Sequence, residues 1–78
     1  MKTYTQQDFD TLVREVNGYL YCPTGDWSNV KFGGAANIVF AAGCKLGYGC
    51  KLGDRCELGD GCKLGSVCAL GDECTLGD

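Results

Sequence analysis

Cysteine is the residue type whose number and spacing most suggest chemistry. The chain of 78 residues has seven cysteines, and six of them recur at every sixth position. A zinc or iron–sulfur site needs several thiolates that converge on one point, and zinc ribbons supply them as close C-x-x-C pairs. A spacing of six lacks such pairs, so we interpret the cysteines as small core residues, with metal or redox chemistry as the alternative. The six are Cys44, Cys50, Cys56, Cys62, Cys68 and Cys74.

The composition also removes the usual catalytic groups. The chain has no histidine, which is the commonest general base and the commonest metal ligand. It has no serine nucleophile motif and no phosphate-binding loop. We therefore expect a protein that is not an enzyme and that needs no cofactor and no metal.

Leucine repeats with the same period as cysteine. Each repeating cysteine is followed two residues later by a leucine, and each of these leucines is followed by a glycine. Residues two apart in a strand point to the same side, so the pattern predicts short strands that bury Cys and Leu together. The glycine after each leucine, together with Gly49 and Gly61 before Cys50 and Cys62, then supplies turns with positive φ. The leucines of this predicted core ladder are Leu46, Leu52, Leu58 and Leu64, with Leu70 and Leu76 continuing it.

The repeat resembles the hexapeptide repeat of left-handed β-helix proteins, as in Leu52-Gly53-Asp54-Arg55-Cys56-Glu57. The resemblance implies triangular coils of three hexapeptides, in which residues eighteen apart stack. The expected fold class is therefore mainly β: a short left-handed parallel β-helix, a hexapeptide-repeat solenoid of about two and a half coils. We assign it to residues 30–78, and assign residues 1–29 to a cap made of a helix, a strand and a turn.

The same stacking makes oxidation of the cysteines geometrically possible. It places three pairs at a strand separation of about 4.8 Å: Cys44 with Cys62, Cys50 with Cys68, and Cys56 with Cys74. That separation lies within the range of about 4.4–6.8 Å between Cα atoms that disulfides tolerate. Parallel side chains are less suitable, and the sequence leaves the redox state open.

The N-terminal residues predict an amphipathic helix. Thr5 and Asp8 form a capping-box pattern, and apolar side chains follow at helical spacing from Phe9 to Val16. Asn17-Gly18 is a stop signal. We expect a helix of about twelve residues that covers the first coil, because the open end of a parallel sheet needs a cap.

Surface charge predicts a partner-binding region. The net charge is -3, from 7 basic and 10 acidic side chains, which is unfavourable for direct nucleic-acid binding. Stacking at eighteen residues predicts two acidic columns, Asp54 with Asp72 and Asp60 with Asp78; an ordinary solvated surface is the alternative. The aromatic side chains either anchor a partner protein or pack in the core of this chain. The predicted partner-binding residues are Asp54, Asp60, Asp72, Glu73, Glu57, Tyr48 and Trp27.

The last coil is expected to expose backbone groups and apolar side chains. A symmetric partner would cover them, so we expect a homodimer through Leu70, Cys74 and Leu76. End-to-end assembly into a structural array is the alternative function.

The segment Tyr21-Cys22-Pro23-Thr24-Gly25-Asp26, between a short helix and the repeats, resembles small proteins of bacteriophages and prophages. That resemblance implies an accessory inhibitor of a host defence complex, similar to anti-CRISPR proteins, which binds a host protein complex at its nucleic-acid-binding surface. We expect a cytoplasmic protein, because the N-terminus lacks the apolar run of a signal peptide and no stretch approaches the roughly 20 residues of a membrane span.

Overall fold

The computed structural model describes residues 1–77 as one short helix and six short parallel strands. Each strand is two or three residues long, because a glycine or another turn residue follows almost every apolar pair. The helix is α1 (Gln6–Asp10), and the strands are β1 (Leu20–Cys22), β2 (Asp26–Trp27), β3 (Ile38–Phe40), β4 (Lys45–Leu46), β5 (Glu57–Leu58) and β6 (Thr75–Leu76).

The strands form two parallel sheets. One has four strands in the order β1-β3-β5-β6, and the other pairs β2 with β4. Partners in the larger sheet lie eighteen positions apart, as in Val39 with Glu57 and Leu58 with Leu76. Isolated bridges between Lys45 and Lys63 and between Lys51 and Ala69 keep this spacing. Residues on both sides of position 30 share these sheets, since β1 pairs with β3.

The predicted fold class is wrong. We expected a left-handed β-helix of about two and a half coils with an amphipathic helix as its cap. The described residues instead form two small parallel sheets and a helix of five residues. The turns between the apolar pairs take up so much of the chain that continuous strands do not develop.

The helix begins where the sequence predicts and ends early. The capping box is confirmed: the Thr5 hydroxyl accepts a hydrogen bond from the Asp8 amide, and the Asp8 carboxylate accepts one from the Thr5 amide. The helix ends at Asp10, where the Thr11 hydroxyl donates to the carbonyl groups of Gln7 and Asp8. Threonine competes in this way for carbonyl groups that a longer helix would use.

Tertiary contacts hold the next segment in an irregular path. The Arg14 guanidinium donates to the carbonyl groups of Gly18 and Ala36, at 2.8 and 3.1 Å. Val13 is 81% exposed and Val16 is fully exposed. The predicted apolar stripe is therefore only half used, and β-branched residues at these positions add little helix propensity to oppose the Arg14 contacts.

Aromatic packing joins the N-terminal residues to the sheets. The Tyr4 and Trp27 rings stack with centroids 4.1 Å apart. The Phe32 ring meets Phe9 of α1 edge to face at 4.7 Å and Phe40 of β3 at 5.3 Å. The fully buried side chains are apolar or sulfur-containing, and burial falls towards the C-terminal strands. The buried core contains Leu20, Cys22, Trp27, Val30, Phe32, Ile38, Phe40, Cys44, Leu46, Cys50, Leu52, Cys56 and Leu58.

The prediction of positive φ is confirmed at Gly49 and Gly61 and is wrong for the glycines that follow the leucines. Gly47 lacks positive φ, and a Cβ built there would collide with the backbone of Ser28. These glycines therefore allow stacked segments to approach closely. Positive φ occurs instead two residues further on, at every sixth position from 37 to 73. No helix among residues 1–77 is long and apolar enough to cross a membrane.

Candidate partner-binding faces

Acidic side chains gather on one side of the molecule. Glu57 is the outward, exposed residue of β5 in the four-stranded sheet. The two turns that flank β5 and the turn that precedes β6 carry the other carboxylates. We call this set the acidic face: Asp54, Glu57, Asp60, Asp72 and Glu73.

Asp54 and Glu73 of this face have partners within the molecule. The Asp54 carboxylate accepts a hydrogen bond from the backbone amide of Asp72 at 2.8 Å, which ties two stacked turns together. Glu73 pairs with Arg55, with 3.7 Å between the carboxylate oxygen and Nε. Both side chains of that ion pair are exposed, so it contributes little stability.

The side chains of Glu57 and Asp72 have no such partner within residues 1–77. Both are exposed, and within residues 1–77 neither carboxylate makes a hydrogen bond or ion pair. Their charges are therefore available to a partner. The predicted column of Asp60 and Asp78 extends beyond the described residues, because Asp78 lies outside them.

Lysines occupy the other sides of the molecule. Lys45 of β4 and its bridge partner Lys63 are exposed outward residues of one side, and Lys51 is exposed on the next. The turn between these two sides carries Tyr48, which is 79% exposed. An open cleft of about 470 Å³ lies at this turn and includes Lys31 in its lining. We call this set the lysine corner: Lys31, Lys45, Lys51, Lys63 and Tyr48.

The charge separation is not complete, because Asp26 of β2 lies beside Lys45. Hydrogen bonds from the side chain and backbone of Ser28 lower the pKa of Asp26, with a smaller contribution from the Lys45 charge. The Asp26 carboxylate therefore stabilises its own turn, because it accepts hydrogen bonds from the backbone amide and the hydroxyl of Ser28.

The two predicted aromatic anchors do not belong to the acidic face. Trp27 is only 1% exposed, and its indole N–H donates to the Pro23 carbonyl at 3.0 Å. The prediction that Trp27 contacts a partner is therefore wrong, because the ring is used in the core. Tyr48 is exposed, but it lies at the lysine corner.

The predicted dimerisation residues lie at a sparsely covered edge. Leu70 and Cys74 are partly buried, and Leu76 is 57% exposed. β6 is an edge strand of the four-stranded sheet. Within residues 1–77, no further strand covers its outer side.

All seven cysteines are free thiols. Most of the repeating cysteines donate to backbone carbonyl groups, as Cys62 does to Ala41 at 3.2 Å. Burial, with smaller effects of Cys44 and Cys56, raises the pKa of Cys22 to about 12. The residues that the structure describes contain no cluster of three or more metal-ligating side chains.

Sequence reasoning missed the lysine corner although the repeat contains its signal. The residue after each repeating cysteine points outward, and from position 45 onward these residues read Lys, Lys, Glu, Lys, Ala and Thr. Because paired residues lie eighteen positions apart, every third residue in this series falls on the same side. Lys45 and Lys63 therefore share one side, and Glu57 and Thr75 share another.

No family model, curated protein or solved structure matches this chain. Residues 1–77 present two charged surfaces of opposite sign, the acidic face and the lysine corner.

Proposed function

We propose that the protein is a non-enzymatic binding protein that docks its acidic face against a basic surface of a host protein complex. The observation that supports this most is that exposed Glu57 is the outward residue of β5 and exposed Asp72 lies in the turn before β6, the strand that pairs with β5, whereas the lysines at positions 45, 51 and 63 belong to other pairings. A mild net charge of -3 thus includes a locally acidic surface.

A rigid acidic surface suits a site that normally holds nucleic acid. Such sites are lined by lysine and arginine that neutralise phosphate groups. Complementary charge steers association and suppresses wrong partners. The acidic face would compete with nucleic acid for these side chains, and binding would inhibit the complex without any chemical step.

The resemblance of residues 21–26 to small phage and prophage proteins favours a host defence complex as the target. The corresponding role is that of an anti-CRISPR-like inhibitor acting in the cytoplasm of the host bacterium. The protein itself would not bind nucleic acid through this face, because like charges repel.

Affinity capture with charge-reversed variants tests the proposal. The tagged, reduced chain is incubated with a bacterial lysate, and the captured proteins are identified by mass spectrometry. We expect a nucleic-acid-binding complex that is released by added DNA or RNA. Glu57→Lys with Asp72→Lys should abolish capture, whereas Glu57→Gln with Asp72→Asn should weaken it.

The matched control reverses charge on the other side of the molecule. Lys45→Glu with Lys63→Glu should leave capture intact, and circular dichroism should show that all variants fold. Asp54 is left unchanged because its carboxylate holds the Asp72 amide. Capture that is lost in the lysine variant and kept in the acidic variant would contradict the proposal.

Self-assembly is the second candidate, and the exposed edge at β6 favours it. An edge strand with exposed Leu76 offers unpaired backbone groups and apolar surface to another copy. Light scattering at micromolar concentration should then report a dimer or larger species, and Leu76→Lys should return it to a monomer. A monomeric mass for the unchanged chain would exclude this candidate.

A further inference from the structure

Cys50 and Cys68 form a sulfur pair that differs from the other cysteines. They precede Lys51 and Ala69, which are bridge partners in parallel register. The two Sγ atoms are 3.0 Å apart. This is a direct contact between thiols that lie eighteen positions apart in the chain.

Cys44 and Cys56 also interact with the side chains of their stacked partners, Cys62 and Cys74, but their own thiols have backbone acceptors. The Cys44 thiol donates to the Pro23 carbonyl at 3.4 Å, and the Cys56 thiol donates to the Ala35 carbonyl at 3.6 Å. For Cys50, the sulfur of Cys68 is the one hydrogen-bond partner of its side chain within residues 1–77. Cys50 therefore has no carbonyl acceptor that competes for its thiol, whereas the Cys68 thiol also donates to the carbonyl groups of Gly65 and Gly47, at 3.1 and 3.3 Å.

We propose that Cys50 and Cys68 are a reversible oxidation site that closes to an intramolecular disulfide in exchange with a small-molecule disulfide. The inference rests on the sulfur contact and is independent of the proposed binding function. The cysteines are free in the reduced protein, so the site responds to the redox poise of its surroundings.

The exchange proceeds in two balanced steps. The Cys68 thiolate attacks one sulfur of the small disulfide, forms a mixed disulfide and releases one thiolate, which takes up the proton that Cys68 lost. The Cys50 sulfur then attacks the Cys68 sulfur, which breaks the mixed disulfide and releases the second thiol. The protein loses two electrons and two protons, and the small disulfide gains both.

Exposure decides the order of these steps. Cys68 is partly exposed, whereas Cys50 is buried at 7% exposure, so the oxidant reaches Cys68 first. Burial, together with the Cys68 side chain, raises the pKa of Cys50 to about 12. Few Cys50 thiolates exist at neutral pH, so closure of the disulfide is the slow step.

The disulfide would cross-link a part of the molecule in which the side chains are only partly buried. Cys50 belongs to the buried core, whereas Cys68 lies where burial is falling, near partly buried Leu64 and Leu70. A cross-link between them restricts the unfolded chain and stabilises the folded one. The oxidised protein should therefore melt at a higher temperature than the reduced protein.

Oxidised glutathione is the probe for the test. The reduced full chain is incubated with it, the remaining thiols are alkylated, and tryptic peptides are analysed by mass spectrometry. Trypsin places Cys50 in peptide 46–51 and places Cys68 together with Cys74 in peptide 64–78. A Cys74→Ser background makes the assignment unique, and we expect these two peptides to be joined.

Single variants separate this site from general thiol oxidation. In Cys50→Ser, Cys68 should keep a glutathione as a mixed disulfide, because the closing thiol is absent. In Cys62→Ser, the matched control, the Cys50–Cys68 bond should still form. The melting temperature of the unchanged chain should rise on oxidation and fall again with dithiothreitol.

Two results would overturn the proposal. One is a stable mixed disulfide on Cys68 in the unchanged chain, with Cys50 still reduced. The other is a disulfide that joins Cys50 to a cysteine other than Cys68, or that forms only after denaturation.

Discussion

At the residue scale, one backbone position out of six adopts a left-handed conformation. Glycine fills three of these positions, including Gly49 and Gly61, and asparagine fills another. Val67 has φ of 60° and is 74% exposed. A β-branched residue is strained in this region of backbone space, and an exposed side chain offers no packing in return.

We therefore expect Val67→Gly to stabilise the protein. Relief of left-handed strain is worth about 1–2 kcal/mol, and the added freedom of the unfolded chain offsets about 0.5–1 kcal/mol of that gain. Urea unfolding should show a higher midpoint for the variant. Gly49→Val, at the position stacked on Val67, should lower the midpoint; equal midpoints for both variants and the parent would contradict the explanation.

The buried thiol of Cys22 predicts loss of stability at alkaline pH. Its pKa is raised by burial to about 12 from an ordinary value of 9.0. In the unfolded chain the thiol loses its proton near pH 9, whereas the folded chain keeps it up to about pH 12. The stabilising effect is therefore complete below pH 9 and is lost as pH rises through this window.

Denaturant midpoints between pH 8 and 11 measure this effect. Cys22→Ala removes the titrating group, so its midpoint should fall less steeply with pH than that of the parent. Absolute stability is not the readout, because loss of the sulfur also leaves a small cavity. Parallel curves for the two proteins would show that Cys22 does not contribute.

At the element scale, close approach of stacked segments depends on the glycine after each leucine. A Cβ at Gly59 would meet the backbone of Ala42 at 2.7 Å. Gly61 lies two residues away in the same turn, has φ of +71°, and leaves open space around a built Cβ. The two glycines are thus required for different reasons, one for contact and one for conformation.

Gly59→Ala should destabilise the protein more than Gly61→Ala. Overpacking against backbone costs about 1–3 kcal/mol, and the stacked segments must separate to relieve it. Left-handed strain at Gly61 costs about 1–2 kcal/mol, and no neighbouring group has to move to accommodate the added Cβ there. Thermal unfolding of both variants checks the order; a larger loss for Gly61→Ala would mean that the segments separate easily.

Much of the pairing could be predicted from the repeat, and much of the path between strands could not. Cys and Leu two residues apart identify Cys44, Leu46 and their equivalents as inward residues. The resemblance to hexapeptide-repeat proteins implies partners eighteen positions apart, and the strand pairing has that spacing. The helix was overestimated because Arg14 finds carbonyl acceptors outside it. Such contacts between distant segments leave no periodic signal in the sequence.

The candidate site was only partly predictable for a similar reason. The carboxylates were identified as surface residues, but the hydrogen bond from the Asp72 amide to Asp54 depends on how two turns stack. Trp27 was ambiguous because an aromatic residue in a turn suits both an interface and a core. Its partner Tyr4 lies far enough away in sequence that no short-range pattern reveals the stack.

At the scale of the whole molecule, the acidic face and the lysine corner lie on different sides of a body of about 29 × 26 × 21 Å. These dimensions are roughly two and a half to three and a half Debye lengths at physiological salt, where one length is about 8 Å. A partner that approaches closely therefore experiences one face more strongly than the other.

Binding to a basic partner should accordingly weaken as salt rises. We expect the rate constant for association with the captured complex to fall about tenfold or more when salt rises from 50 to 300 mM. The dissociation rate constant should change less. Surface plasmon resonance measures both rates. A salt-independent association rate would exclude steering by the acidic face.

The stack of Tyr4 on Trp27 also gives the molecule an internal optical reporter. Trp27 is the one tryptophan of the chain, and the N-terminal segment covers it through Tyr4, 4.1 Å away. Detachment of that segment would admit water to the indole and shift its emission to longer wavelength. Opening of the N-terminus is therefore observable in real time in the unlabelled protein, separately from the unfolding of the C-terminal strands.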